Sequence, residues 1–225
     1  EDACPTTAIE VIGEEWDVQP LVDELIRDKV FFETSNGGVT LSGGEALYQL
    51  EFAIEVAEGL KSHGVHVALD TCGYSSKKAF ERILHFVDLV LYDLKQMNEA
   101  LHLEYTGVPL ETVLSNARTL ASSGIPVWVR TPIIPGFTDS EDNIRKISRF
   151  IIDDMNGVVR YDLLAFNNLC IDKYALLGQE FPLKKTPLVT KKTMEALAEV
   201  ARTEGVQNVH WSGMTRREED LKTNP

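Results

Sequence analysis

The chain has 225 residues, 44% of them hydrophobic, which suits the core of one domain. Its 22 Lys and Arg against 35 Asp and Glu leave a net charge of −13, and its densest basic stretches are only Lys184-Lys185 and Lys191-Lys192, which argues against nucleic acid and against an anionic membrane surface as partners. No apolar run approaches the roughly 18–20 residues of a membrane-spanning helix, no signal peptide is visible, and Cys4, Cys72 and Cys170 make no disulfide framework, so a reducing, cytoplasmic compartment is expected.

Residues 1–18 are acidic and turn-rich and stand outside the rhythm that follows. From there short apolar strands alternate with longer amphipathic helices, the pattern of a parallel α/β architecture. Strands are expected at 38–41, 65–70, 87–93, 126–134, 160–166 and 208–211, and helices at about 19–29, 47–63, 77–85, 111–123, 140–154 and 190–203. Within 47–63, Leu50, Ala53, Ile54, Ala57 and Leu60 share one face and Gly64 ends the helix. Five or six strands in βα order form either an open barrel or a doubly wound sheet, and pattern alone does not separate the two.

Polar residues gather where these strands end. The first strand runs into Ser42-Gly43-Gly44-Glu45, where glycines allow close backbone approach to a ligand, free N–H groups suit a carboxylate, and Glu45 can accept from an ammonium. The second ends in Asp70-Thr71-Cys72-Gly73 and the third in Asp93-Leu94-Lys95; the two aspartates offer a paired-carboxylate site for a cation or an ammonium, or merely cap the next helices. Cys72 reads as a structural thiol. Arg130 lies inside the apolar strand VWVRTPII, so it is balanced by a core acid or aimed at a ligand carboxylate. Thr138–Asp142 has the pattern of a helix cap with an acidic first turn. Asn167 closes the fifth strand with both donor and acceptor capacity. The five histidines show no metal-ligand spacing and read as surface or packing residues.

Taken in order, VTLSGGEAL, the Asp70-Thr71 strand end, VDLVLYDLKQMN, the Arg130 strand and Asn167 resemble the activating enzymes of glycyl radical enzymes, a branch of the radical S-adenosylmethionine (SAM) family, over about residues 4–215. Ala46 and Ala165 stand where the family commonly has proline. The resemblance implies a partial, laterally open (β/α) TIM-like barrel occupying 19–225. It implies SAM contacts at Ser42, Gly43, Gly44, Glu45, Asp70, Thr71, Asp93, Leu94, Lys95, Arg130 and Asn167, with Asp93 and Lys95 beside the chemistry. A cation held by Asp70 and Asp93 near the SAM carboxylate is implied as well. Cys4-Pro5 resembles the end of a ferredoxin-like run, so residues 1–18 read as the remnant of a ferredoxin-like insert and its linker, with Cys4 a cluster ligand only alongside further upstream cysteines.

Relatives place a CX3CX2C triad after the first barrel strand to hold a [4Fe–4S] cluster; SAM is cleaved there to a 5′-deoxyadenosyl radical, which takes a hydrogen from a glycine of a partner glycyl radical enzyme. Flavodoxin or ferredoxin is the implied electron donor. No such triad occurs in these residues, and Cys72 and Cys170 lie nearly 100 residues apart. The expectation is therefore the C-terminal part of an activase, its first barrel strand missing, retaining much of the SAM pocket and partner-docking surface but inactive alone, with an exposed sheet edge open to self-association. The rival reading is a cluster-free SAM-binding or docking protein. An unrelated phosphate-binding barrel is disfavoured, because no Walker-type loop occurs.

Overall fold

The computed structural model describes residues 13–217. Six strands, β1 (Gly38–Leu41), β2 (His66–Thr71), β3 (Leu89–Asp93), β4 (Val127–Ile133), β5 (Val158–Ala165) and β6 (Val209–Ser212), form one sheet in the order β1-β2-β3-β4-β5-β6. Every adjacent pair is parallel. The helices are α1 (Val18–Leu25), α2 (Lys29–Ser35), α3 (Leu50–Ser62), α4 (Lys77–Leu84), α5 (Glu99–Thr106), α6 (Leu110–Ala121), α7 (Glu141–Asp154), α8 (Ile171–Leu176) and α9 (Lys191–Thr203).

The strand order settles the choice between barrel and doubly wound sheet. Parallel crossovers are right-handed, so strands added always on the same side put every crossover helix on one face; a doubly wound sheet needs a reversal of order, and none occurs. The architecture is thus an open, partial TIM-like barrel.

The two faces differ accordingly. Val67, Leu69, Val90, Tyr92, Val129, Ile133, Tyr161 and Leu163 are buried in one core with Phe80, Ile83, Leu120, Ile147 and Leu197 of the helices. Alternate residues point the other way, into the concave face, and several are charged: Asp70, Asp93, Arg130, Arg160 and Asp162. Register aligns Asp93 with Arg130 and Arg130 with Asp162.

Two expected helices are subdivided. The 19–29 segment becomes α1 and a 3₁₀ turn at Ile26–Asp28, and a further helix, α2, runs on beyond the expected bounds to Ser35. The 47–63 segment opens with a 3₁₀ turn at Ala46–Gln49 before α3, because Gln49 (φ −112°, ψ 57°) leaves the helical region. Helices α5 and α8 were not expected; they have only eight and six residues, and α5 buries only His102, so neither carries a strong apolar stripe. Residues 1–12, including Cys4, lie outside the described residues.

Candidate active site

The glycine turn after β1 needs glycine at Gly43 for its conformation and stands in open space. Gly43 adopts φ +132°, which side chains rarely tolerate, and no heavy atom lies within 4 Å of where a Cβ would stand on Gly43 or Gly44. Glu45 then caps the 3₁₀ turn, accepting from the Leu47 N–H at 3.2 Å. Its Oε1 also accepts from Thr71 Oγ1 (2.9 Å), and its Oε2 from the Cys72 N–H (2.9 Å). The carboxylate is fixed by three donors, two from the end of β2 and one from its own 3₁₀ turn, yet Oε2 retains acceptor capacity.

Beside it lies a charged quartet on the concave face. Arg130 donates through Nε (3.0 Å) and Nη2 (2.8 Å) to Asp93 Oδ1, and through Nη1 (3.0 Å) and Nη2 to both oxygens of Asp70. Lys95 Nζ stands 3.1 Å from Asp93 Oδ2, and Ser42 Oγ lies 3.3 Å from Asp70 Oδ2. Burial works against the Arg130 charge, but Asp93 and Asp70 outweigh it and hold the guanidinium above its ordinary pKa. Two carboxylates and two cations balance, and one Nη1 hydrogen remains for a ligand. Of the two partners expected for Arg130, the structure displays acids, and the positive charge between Asp70 and Asp93 is this guanidinium. Neither aspartate is a helix cap: Ser76 and Asn98 cap α4 and α5.

The neighbouring loops are tied by buried side chains. Thr71 Oγ1 accepts from the Gly73 N–H (3.0 Å), and a Cβ on Gly73 would stand 1.9 Å from Tyr92 Oη. Tyr92 Oη donates to the Val113 carbonyl (2.6 Å), and burial holds its pKa well above the usual value. Thr131 Oγ1 donates to the Leu94 carbonyl (2.6 Å) and sits 3.1 Å from Tyr161 Oη. Burial raises the Cys72 thiol pKa, which fits a structural thiol.

A cleft of about 770 Å³ opens over these strand ends, reaching from Gly44, Cys72, Asp93 and Lys95 to an aromatic wall. There Tyr105 packs edge-on against Phe137 (5.0 Å between centroids), and Tyr174 lies tilted against Phe181 (5.0 Å). His102 is buried on the same wall; its Nδ1 lies 2.9 Å from the Val108 carbonyl and burial lowers its pKa, while the other four histidines are exposed. Asn167 is exposed at the end of β5, its Oδ1 accepting from the Leu169 N–H (3.1 Å) in a local turn rather than joining the quartet.

Sequence reasoning missed Asn143 and Gln96, which hold the Lys95 loop, and the aromatic wall. Strand-end polarity does not mark them: Asn143 and Gln96 bond across more than 40 positions, and the aromatic wall lies on helices and loops.

A profile of the radical SAM superfamily matches residues 4–147. The chain is 36% identical over 193 residues to the choline trimethylamine-lyase activating enzyme of Oleidesulfovibrio alaskensis, covering 85% of this chain and 62% of that one. It is 35% identical over 185 residues to the pyruvate formate-lyase 1-activating enzyme of Escherichia coli, covering 81% and 75%. This chain belongs to the radical SAM superfamily, in its activating-enzyme branch.

A solved domain of the pyruvate formate-lyase-activating enzyme from Bacteroides vulgatus superposes with a TM-score of 0.66 at 25% identity, covering 79% of this radical SAM chain and 99% of that domain. A radical SAM methyltransferase from Sphaerobacter thermophilus shares the fold alone, at a TM-score of 0.66 and 13% identity, covering 88% of this chain and 58% of that one. The chain spans just under two thirds of the choline trimethylamine-lyase activating enzyme. Radical SAM proteins use SAM and a [4Fe–4S] cluster. The cleft and the unobstructed Gly43-Gly44 turn fit SAM. Among the described residues no three His, Cys, Asp or Glu side chains come together to hold a metal, so these residues do not fit the cluster. No helix among them is long and apolar enough to cross a membrane.

Proposed function

We propose that this chain is the SAM-binding and partner-facing part of an activase that generates a glycyl radical on a partner enzyme in the cytoplasm. The observation that carries the reading is convergence: Glu45, Asp70, Asp93 and Lys95, at or just beyond the ends of β1, β2 and β3, gather with Arg130 from the middle of β4, and Asp93 and Lys95 line the cleft. The Ser42–Gly44 backbone and Glu45 take the SAM amino-acid end, Glu45 accepting from its ammonium. The free Nη1 hydrogen of Arg130 and the Lys95 ammonium face its carboxylate. Asp70, Thr71, Asp93 and Leu94 hold these groups in register, and Asn167 closes over SAM from the β5 end.

Bound SAM is the family's source of the 5′-deoxyadenosyl radical; the residues here orient it and exclude water. The aromatic wall receives the glycine-bearing loop of the partner. Flavodoxin or ferredoxin supplies the electron, and the barrel begins at about residue 19. Asp70 and Asp93 hold a cation only if Arg130 swings away, since it now engages three of their four oxygens.

Titration calorimetry with SAM tests the reading. Saturable one-to-one binding is expected, weakened about tenfold in Glu45→Gln, the loss of one charge-assisted hydrogen bond. No saturable binding at millimolar SAM overturns it.

A further inference from the structure

Lys95 lies two residues beyond the end of β3, where the sheet no longer holds the chain; the last bonds to β4 are the Leu94 N–H to the Arg130 carbonyl (2.9 Å) and Thr131 Oγ1 to the Leu94 carbonyl. What holds the next residues comes from α7. The Asn143 side chain, 2% exposed in the first turn of that helix, donates through Nδ2 to the Lys95 carbonyl (3.0 Å) and the Thr138 carbonyl (3.2 Å), and accepts at Oδ1 from the Met97 N–H (2.9 Å). Both amide hydrogens and the amide oxygen are thus used, and a flipped amide would set oxygen against two carbonyls. Gln96 lies between the two tied residues, 4% exposed, donating to the Phe137 carbonyl (3.1 Å) and accepting from the Asn98 N–H (3.0 Å). The main chain from Lys95 to Asn98 is pinned to α7 and to the loop before it.

Asparagine is a poor choice for a helix interior, where its side chain competes for backbone hydrogen bonds. Here α7 is already capped by Ser140, whose Oγ accepts from the Asn143 N–H (3.2 Å), so the buried amide is spare to the helix and spent entirely on the loop. We propose that Asn143 is a positioning residue for Lys95: by fixing the Lys95 carbonyl and the Met97 N–H it sets the ammonium over Asp93 Oδ2. Its consequence for ligand rests on the proposed SAM site; its action on Lys95 does not.

Competitive acetylation with acetic anhydride, read by mass spectrometry as Lys95 labelling relative to exposed Lys192, tests the inference on the full chain without ligand. Asn143→Asp keeps the size and the acceptor for Met97 but loses the donor to Lys95. Labelling of Lys95 is expected to rise about threefold, the scale of losing one partly exposed ion pair. Asn143→Ser is the second variant, with the same expectation if the carboxylate disturbs folding. Ser140→Ala removes the α7 cap without touching the Lys95 carbonyl; it should lower the melting temperature and leave Lys95 labelling unchanged. Unchanged labelling in folded Asn143→Asp, or an equal rise in Ser140→Ala, overturns the proposal. SAM titration of the same proteins separates the two readings: an about tenfold weaker Kd in Asn143→Asp supports both, whereas no binding even by the unsubstituted chain, with the labelling rise intact, removes the SAM site and leaves the positioning role standing.

Discussion

Arg130 shows how much one residue carries here. Only 17% of its side chain is exposed, and its partners Asp70 and Asp93 are 23% and 18% exposed, so the three charges are mostly withdrawn from water. Removing the guanidinium would leave two carboxylates facing each other with Lys95 as the remaining counter-charge. Arg130→Met should therefore lower unfolding free energy in urea by about 3 kcal/mol, the usual result of breaking a buried pair from one side. Adding Asp70→Asn should recover about 1 kcal/mol of this by removing one stranded charge. A loss below about 1 kcal/mol for Arg130→Met would mean that solvent screens the quartet. A charge in an apolar strand flags itself in sequence, which made Arg130 visible. Asn143 did not: it follows Ser-Glu-Asp in an ordinary capped helix start, and its value comes from Lys95, 48 positions away.

Among elements, Asp88 fastens three at once. It precedes β3, accepts at Oδ2 from the Val67 N–H in β2 (2.9 Å), and pairs through Oδ1 with the Lys61 ammonium of α3. Burial pushes its pKa up, but the Lys61 and Val67 hydrogen bonds outweigh this and hold it below the ordinary carboxylate value. A lowered folded pKa means stability that is present above the unfolded value, about 3.9, and lost as pH falls through the folded one. Asp88→Asn should thus cost about 1 kcal/mol at pH 7, modest because Asp88 and Lys61 are 28% and 37% exposed. The gap to the unsubstituted chain should close below about pH 4 in a pH series of urea melts; a gap that persists at pH 2 would assign the loss to packing instead.

The whole molecule is a barrel wall with two ends. Among the described residues β1 pairs only with β2, and a groove of about 410 Å³ runs along it, lined by Leu21, Leu25, Val39 and Phe52. A strand edge with apolar flanks favours pairing with a second copy, while a net charge of −13 on each copy opposes it. Self-association is therefore expected to grow with protein concentration and, unusually for a polar edge, with salt. Sedimentation velocity at low and high ionic strength checks this, and a single monomeric species throughout would discount the β1 edge as an interface.

The alternation of strands and helices was plain in the chain, since side chains repeat every two residues on a strand and every 3.6 on a helix. All six strands fall within two residues of their expected bounds, polar strand ends marked out Glu45, Asp70, Asp93 and Lys95, and a charge inside an apolar strand marked out Arg130. These are local properties, written in consecutive residues. Strand order, by contrast, depends on which strands pair, so a barrel became distinguishable from a doubly wound sheet only once the chain was folded. The same holds for the Arg130 clamp across Asp70 and Asp93, for the cleft's aromatic wall, and for the Asn143 tie to Lys95. Each joins residues far apart in sequence through contacts that no local pattern records.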